Sequence, residues 1–349
     1  MKLDDVRTGL AFDDVLLVPR RSSVRSRRDV VLATQLSRNV TLEVPIVAAN
    51  MDTVCEWEMA LALGRLGGIG IIHRFLPIEQ QALQIAKVKG ENVRVGAAVG
   101  TDHDTQERSR AMIDAGADVL VLDIAHGHSE HSIDAIKRMK HLFPSTDLIA
   151  GNVATRQGAL DLVAAGADAV KVGVGPGGVC TTRLVAGVGV PQLTAINDCA
   201  ELGVPIIGDG GIRNSGDIAK ALAAGAQSVM IGSMFAGTKE SPGEIESSPH
   251  GLVKRVRGMA SFEAIRERAL RDGTDLDEEY FEQRAPEGVE GTVPYKGSVS
   301  PLVHKLLAGL RSSMSYLDAR TIAEFQGNAQ FVRLTHAGII ESQPHATLR

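Results

Sequence analysis

The chain has 349 residues, a formal net charge of -5, 44% hydrophobic residues, 37 glycines and only 3% aromatics. The acidic balance argues against a nucleic-acid coat or a basic membrane surface and leaves only local basic patches for phosphate. A profile rich in glycine and poor in aromatics fits a buried parallel sheet better than a β-sandwich. Cys55, Cys180 and Cys199 are odd in number and lack CxxC spacing, against a disulfide framework or a cysteine-rich zinc site. Residues 1–5 open no apolar signal region, and no apolar run approaches the ~18 residues of a membrane span, so a cytoplasmic protein is expected.

Length alone allows one large barrel or two ordinary domains. In chain order, eight short apolar runs fall at 44–51 (VPIVAANM), 68–74 (GIGIIHR), 93–100 (VRVGAAVG) and 118–125 (DVLVLDIA), then at 147–154 (DLIAGNVA), 169–175 (AVKVGVG), 204–211 (VPIIGDGG) and 227–233 (QSVMIGS). None alternates with polar residues, as expected of parallel strands buried on both faces. Helical periodicity fills the gaps, for example at 132–143 and 218–224, and Ala-Gly-Ala at 115–117, 165–167 and 224–226 sets a glycine C-cap just before a strand. Repetition of this unit predicts a TIM (β/α)8 barrel over residues 1–349, with a doubly wound open sheet as the alternative.

Barrel chemistry belongs at the carboxyl ends of the strands. Those ends carry Asn50-Met51-Asp52, Asp123-Ile124-Ala125-His126, Gly151-Asn152, Gly175-Pro176-Gly177 and Asp209-Gly210-Gly211. Two insertions break the even spacing. Residues 175–193 after the sixth strand hold Cys180, and the polar, acidic stretch at about 237–296 after the eighth reads as a solvated loop or, more sharply, a flap over the barrel mouth. A lone cysteine is usually a small core residue, which is the reading for Cys55 and Cys199. Cys180 instead follows a Gly-Pro-Gly-Gly turn on the active face, where backbone amides and access favour a nucleophilic thiolate.

The stretch 173–192 (GVGPGGVCTTRLVAGVGVPQ) resembles the catalytic loop of the IMP dehydrogenase/GMP reductase family. Further matches follow in family order: 50–54 (NMDTV), 151–153 (GNV), 209–213 (DGGIR), 257–259 (RGM) and 286–297 (PEGVEGTVPYKG). The resemblance implies a covalent thioimidate between Cys180 and C2 of a purine nucleotide, with Thr182 and Glu287 as a proton relay. It implies Asp209 on the ribose hydroxyls, Gly210, Gly211, Gly232 and Ser233 around the phosphate, and Gly258 and Met259 against the base. Asp123 resembles the residue that meets the nicotinamide ribose, with Asn152 and Gly173 nearby, and the carbonyls of Gly175, Gly177 and Cys180 match a potassium-coordinating loop. A homotetramer acting on GMP or IMP is implied as well.

The chain departs from that pattern in places. Gly178 stands where the family usually has a phosphate-binding serine, and Val256 replaces an aromatic before Arg-Gly-Met. The regulatory nucleotide-binding module that many members insert after the second strand is absent at about 85–92, where one helix and a turn are expected. Dehydrogenases of the family hydrolyse the thioimidate with a flap Arg-Tyr pair, and no Arg-Tyr occurs between Gly258 and Pro286; Glu279-Tyr280 is the nearest echo, and Arg271-Asp272 and Arg284-Ala285 lack the tyrosine. Residues 48–51 (AANM) and 128–131 (HSEH) also resemble reductases, which use NADPH, whereas 185–190 (VAGVGV) and 341–345 (ESQPH) resemble NAD-dependent dehydrogenases. Reductive deamination of GMP to IMP is therefore expected, with oxidation of IMP to XMP as the alternative. From other classes, His128-Ser129-Glu130 echoes a zinc deaminase but lacks its Pro-Cys-x-x-Cys partner, and a catalytically dead nucleotide sensor is disfavoured by the intact Cys180.

Overall fold

All eight apolar runs become strands, because β-branched and small residues buried on both faces have no solvent side to turn towards. The computed structural model describes residues 6–271 and 285–344. The strands, numbered in chain order, are Ile46–Ala48 (β1), Ile69–Ile72 (β2), Val95–Val99 (β3), Val119–Asp123 (β4), Leu148–Val153 (β5), Ala169–Val172 (β6), Ile206–Asp209 (β7) and Ser228–Ile231 (β8). Each pairs in parallel with the next, and β8 returns to β1 through Val229↔Ile46, closing a TIM barrel and removing the open-sheet alternative.

The observed strands are shorter than the runs in the sequence. Residues 49–51 leave the ladder after β1 to line the barrel mouth, and Ser233 opens a four-residue helix, Ser233–Ala236, rather than ending a strand. Helices Glu130–Leu142 and Ser215–Ala223 each begin before the periodic stretch read from sequence. The Ala-Gly-Ala units do cap helices. Gly116 has φ 95, its N–H donates to the Ile113 carbonyl at 2.9 Å, and the Ala117 N–H donates to Met112 at 3.0 Å. The same closure recurs at Gly166 and Gly225.

The next residue completes the repeat. Asp118 accepts the Val95 N–H at 2.9 Å, Asp168 accepts the Leu148 N–H at 2.9 Å, and the Gln227 amide oxygen accepts the Ile206 N–H at 2.7 Å. Each of these side chains caps the start of the preceding strand. At two of the three sites a lysine from the helix before that strand supplies the counter-charge, Lys89 on Asp118 and Lys140 on Asp168. This end of the barrel is thus built for stability, leaving the carboxyl ends free for chemistry.

Residues 78–92 form the expected single helix, Ile78–Lys89, and a turn. The eighth barrel helix, Val299–Tyr316, arrives only after the long insertion and packs between helices Ser215–Ala223 and Trp57–Arg65. Between β8 and that helix the described part of the insertion is more than a bare loop. It forms a three-stranded antiparallel sheet, Ile245–Ser248, Gly251–Arg257 and Glu290–Pro294, with the helix Phe262–Arg271. Lys254 is buried beneath this sheet, its ammonium held by the carbonyls of Thr238 at 3.1 Å and Ser241 at 2.5 Å. The acidic run at 275–279 lies outside the described residues. Among the described residues no helix is long and apolar enough to cross a membrane.

Gly70 in β2 gives a direct test of barrel packing. A Cβ there would lie 2.5 Å from the Ala60 backbone and 2.8 Å from Cys55 Sγ, so helix Trp57–Arg65 would have to move outward. Gly70→Ala should cost ~1–3 kcal/mol by overpacking, read as a lower denaturant midpoint at unchanged slope.

Candidate active site

The ends of β4, β6 and β7 meet at a buried ammonium. Lys171 sits inside the apolar run Ala169–Val172 at 2% exposure, and a buried charge must be paired to be tolerated. Its Nζ lies 2.8 Å from Asp123 Oδ1 at the end of β4 and 2.7 Å from Asp209 Oδ2 at the end of β7. Asn152 at the end of β5 extends the network, donating from Nδ2 to Asp209 Oδ2 at 2.9 Å and to the Gly173 carbonyl at 2.7 Å. Burial would raise the Asp123 carboxyl, but Lys171, with Arg74 and Asn50 behind it, holds it below the usual carboxylate range. The same two aspartates outweigh desolvation at Lys171 and push its ammonium up.

Asp209 is shared by two chambers at the barrel mouth. The first, 310 Å³, is lined by Pro176, Gly177, Gly178, Gly210, Gly211, Gly232 and Ser233, which brings the expected phosphate residues together. Gly210 and Gly211 have φ 91 and 81, and a Cβ at Gly210 would strike the Pro176 ring at 2.9 Å, so this turn meets the catalytic loop only because both are glycine. A Cβ at Gly178 would lie 2.9 Å from Ser233 Oγ, so the hydroxyl of Ser233 stands where a serine at 178 would need room. The second chamber, 370 Å³, holds Asp123, Asn152 and Met259 together with Asn50, Arg74, Phe75, Ile265 and Arg268.

Cys180, Thr182, Glu287, Gly173, Gly175 and Gly258 line neither chamber. Backbone contacts nevertheless bring the Cys180 segment beside them. The Val289 N–H donates to Val179 at 3.0 Å, the Thr181 N–H to Glu287 at 2.8 Å, the Glu287 N–H to Ala260 at 3.1 Å and the Gly258 N–H to Val289 at 3.0 Å. A Cβ at Gly258 would lie 2.8 Å from the Val179 carbonyl, so this seam requires glycine. Cys180 Sγ is 3.2 Å from Thr182 Oγ1, within the reach of a thiol–hydroxyl hydrogen bond. Among the described residues no hydrogen bond joins the side chains of Thr182 and Glu287. Cys55 and Cys199 are fully buried, and burial pushes both thiols up, Cys199 to about 12, as suits inert core residues.

Donor chemistry tests the expected ligands. Asn152 Oδ1 and Arg74 Nε are buried without a hydrogen-bond partner, one acceptor and one donor in the second chamber, which fits a ligand carrying amide and anionic groups. The carbonyls expected to hold potassium are hard oxygen donors and fit in kind. That of Gly177 already accepts the Cys180 N–H at 3.1 Å and keeps a second lone pair, and the Arg183 side chain packs against Gly175 while donating to the Val174 and Val190 carbonyls.

Several residues here were missed in the sequence. Lys171 carried a signal, a lysine inside an otherwise apolar buried strand. Arg257 lies in the quoted 257–259 motif, but its pairs, with Asp52 at 2.6 Å and with Glu267 at 2.5 Å, carried no signal, and neither did the trio Arg74, Asp102 and Arg268, since these residues meet only in three dimensions. His128 pairs through Nε2 with Asp161 at 2.8 Å, and among the described residues no group of three or more His, Cys, Asp or Glu could hold a metal.

A closed parallel barrel whose mouth joins a glycine-lined pocket to a carboxylate–lysine network, beside a thiol on an inserted loop, defines a TIM-barrel enzyme. The model of the IMP dehydrogenase / GMP reductase domain matches residues 9–345. The chain is 40% identical to inosine-5'-monophosphate dehydrogenase of Nitrosopumilus maritimus over 473 aligned positions, covering 99% of each chain. It is 39% identical to GMP reductase of Leishmania major over 476 positions, covering 97% of this chain and 96% of the relative. Among solved structures, a cysteine-to-alanine variant of GMP reductase from Trypanosoma brucei in complex with guanosine 5'-monophosphate superposes with a TM-score of 0.93 at 36% identity, covering 99% of each chain. The chain belongs to the IMP dehydrogenase/GMP reductase family and is an oxidoreductase of it.

Lys171→Met would leave Asp123 and Asp209 together without their cation, a loss of roughly 3 kcal/mol or more. Burial then lifts the Asp123 carboxyl above its ordinary value, so the variant loses further stability as pH rises through that lifted value. The unsubstituted protein binds no such proton and keeps its stability there. The gap in unfolding free energy between the two should widen from about pH 4 to about pH 8; a gap that stays constant would contradict this account.

Proposed function

We propose that the protein is an NADPH-dependent GMP reductase, converting GMP to IMP and ammonia through a thioimidate on Cys180. The observation that carries this reading is the lack of an Arg-Tyr pair between Gly258 and Pro286. Without it no flap base activates water against the thioimidate; Glu279-Tyr280, the nearest echo, lies outside the described residues. The solved relative with bound guanosine 5'-monophosphate supports the same direction.

In this reading the nucleotide phosphate lies among Gly210, Gly211, Gly232 and Ser233, where short backbone approaches offer N–H donors, and Asp209 accepts the ribose hydroxyls through the oxygen that Lys171 and Asn152 leave free. Gly258 and Met259 contact the base. The Cys180 thiolate adds to purine C2, and the C2–N bond breaks as the amine takes a proton. Thr182, already 3.2 Å from Sγ, and Glu287, whose carbonyl accepts the Thr181 N–H, are proposed as the proton relay. Reduced nicotinamide supplies the hydride that then replaces sulfur at C2, and Asp123, Asn152 and Gly173 are proposed to hold and orient its nucleoside. The carbonyls of Gly175, Gly177 and Cys180 are proposed to take potassium. A homotetramer fits the exposed apolar side chains of Leu184 and Val188 on the catalytic loop. The alignments longer than this chain fit the proposal that the regulatory module is absent at about 85–92. A cytoplasmic site of action is proposed too.

The dehydrogenase reading is favoured by two stretches, 185–190 (VAGVGV) and 341–345 (ESQPH), and implies NAD and XMP. A paired assay separates the two. GMP with NADPH should be turned over with release of ammonia, IMP with NAD should give almost no XMP, and Cys180→Ala should lose turnover while still binding GMP. Steady XMP formation at a comparable rate would overturn the assignment. Glu287→Gln should lower kcat by roughly 10²-fold if Glu287 relays protons, whereas a rise in KM alone would assign it to holding the purine edge.

A further inference from the structure

The glycine-lined pocket needs a positive charge that its glycines do not supply. Four of its lining side chains are charged, Asp13, Arg183, Asp209 and Arg213. A nucleotide phosphate carries about two negative charges at neutral pH, and Gly178 brings no side chain to meet it. Asp209 shares its cation, Lys171, with Asp123, so that network adds no positive charge to the pocket. Asp13 accepts from both Nη atoms of Arg213, at 2.9 and 2.6 Å, while Arg213 Nε lies 3.4 Å from Asp217 Oδ2. Two carboxylates therefore take up the Arg213 guanidinium.

Arg183 is placed differently. It lies in the short helix Thr182–Val185, just after Cys180, and its Nη2 donates to the Val190 carbonyl at 2.6 Å and to the Val174 carbonyl at 3.3 Å. Those two carbonyls flank the loop that carries Cys180. Two glycines make room for the side chain, since a Cβ at Gly175 would lie 2.5 Å from Arg183 Cγ and one at Gly189 would lie 2.8 Å from it. The guanidinium is thus seated by neutral groups. Among the described residues no carboxylate pairs with it, and its Nε and Nη1 have no partner. A planar fork held in place with free N–H groups on a pocket wall suits phosphate, because it matches the oxygens in geometry as well as charge. We propose that Arg183 binds the phosphate of the purine nucleotide, supplying the positive charge that the glycine cradle lacks. This rests on the nucleotide site proposed above and adds one side chain to it. Because the loop's own carbonyls already seat the guanidinium, little rotamer freedom is left to lose on binding.

The test is a calorimetric titration of GMP onto the Cys180→Ala protein, where no turnover interferes, with and without a second substitution at 183. Arg183→Ala should weaken GMP binding about tenfold or more near neutral pH, as loss of a charge-assisted contact does. That penalty should be at least about twofold smaller at about pH 5.5 than at about pH 7.5, since the phosphate takes up its second proton near pH 6. No histidine lines the pocket among the described residues, and the hydrogen bond from Arg213 holds the Asp13 carboxyl below its ordinary range, so the phosphate is what titrates in this window. Arg183→Lys should recover part of the loss, because the charge stays while the fork is gone. The inference fails if Arg183→Ala leaves GMP affinity unchanged. It fails equally if the penalty is the same at both pH values or if lysine recovers nothing, since the arginine would then only hold the loop. If the Cys180→Ala protein with Arg183 intact binds no GMP, the nucleotide site itself is overturned, and the proposed function with it.

Discussion

The Lys171 ammonium is the constraint around which the mouth of the barrel is arranged. A lysine inside a parallel strand is costly unless carboxylates meet it, and here they arrive from two strands, Asp123 from β4 and Asp209 from β7. Each contact is shorter than 3 Å, so the ends of β4, β6 and β7 are held at fixed spacing. Asn152 ties the end of β5 to the same carboxylate. Because Asp209 borders both chambers, one charge cluster sets the relation between the glycine-lined pocket and the cavity beyond it. A hydrophobic residue at 171 would pack as well but would leave those strand ends without a common partner.

The nucleophile loop is positioned by different means. Residues 179–181 make short backbone hydrogen bonds to 287 and 289, and those residues bond in turn to 258 and 260. Backbone seams of this kind are insensitive to side-chain identity except where two chains approach too closely for a Cβ, as at Gly258. The thiol therefore shares a rigid seam with the two segments bordering the flap. Movement of residues 287–289 would move Cys180, so the flap and the Cys180 loop are mechanically linked. Arg257 adds an ionic tie from the same strand to Asp52, which follows β1.

The barrel was legible because its signals are local and repeated. Apolar runs of fixed spacing, and Ala-Gly-Ala followed by a side chain that caps the preceding strand, need no tertiary information to be recognised. Gly210, Gly211 and Gly232, expected together from the family resemblance, do line one pocket. The ordered sheet within the flap was not legible, since its three strands pair across a long stretch of chain and only one face is buried. The ion pairs Arg257–Asp52 and Arg268–Asp102 join residues 205 and 166 positions apart, and nothing in the sequence around either partner announces the other. Lys171 is readable in principle, but the run around it reads as apolar throughout and hides its one charged member.

The direction of the reaction is a matter of partition rather than of fold. In the proposed mechanism the same thioimidate can meet water or hydride, and the scaffold that would form it serves both outcomes equally. For fewer than about one turnover in a hundred to end in hydrolysis, the barrier to water attack must exceed that to hydride transfer by about 2.7 kcal/mol. A positioned general base contributes roughly 10²- to 10⁴-fold to such an attack. Omitting that base is therefore enough by itself to turn the intermediate away from water, with no change to the barrel, the nucleotide pocket or the nucleophile loop. On this ground the proposed direction gives the two missing flap residues more weight than the resemblance of residues 185–190 and 341–345 to the opposite activity. Residues 185–190 lie in the loop that carries the nucleophile, where both reactions make the same demand.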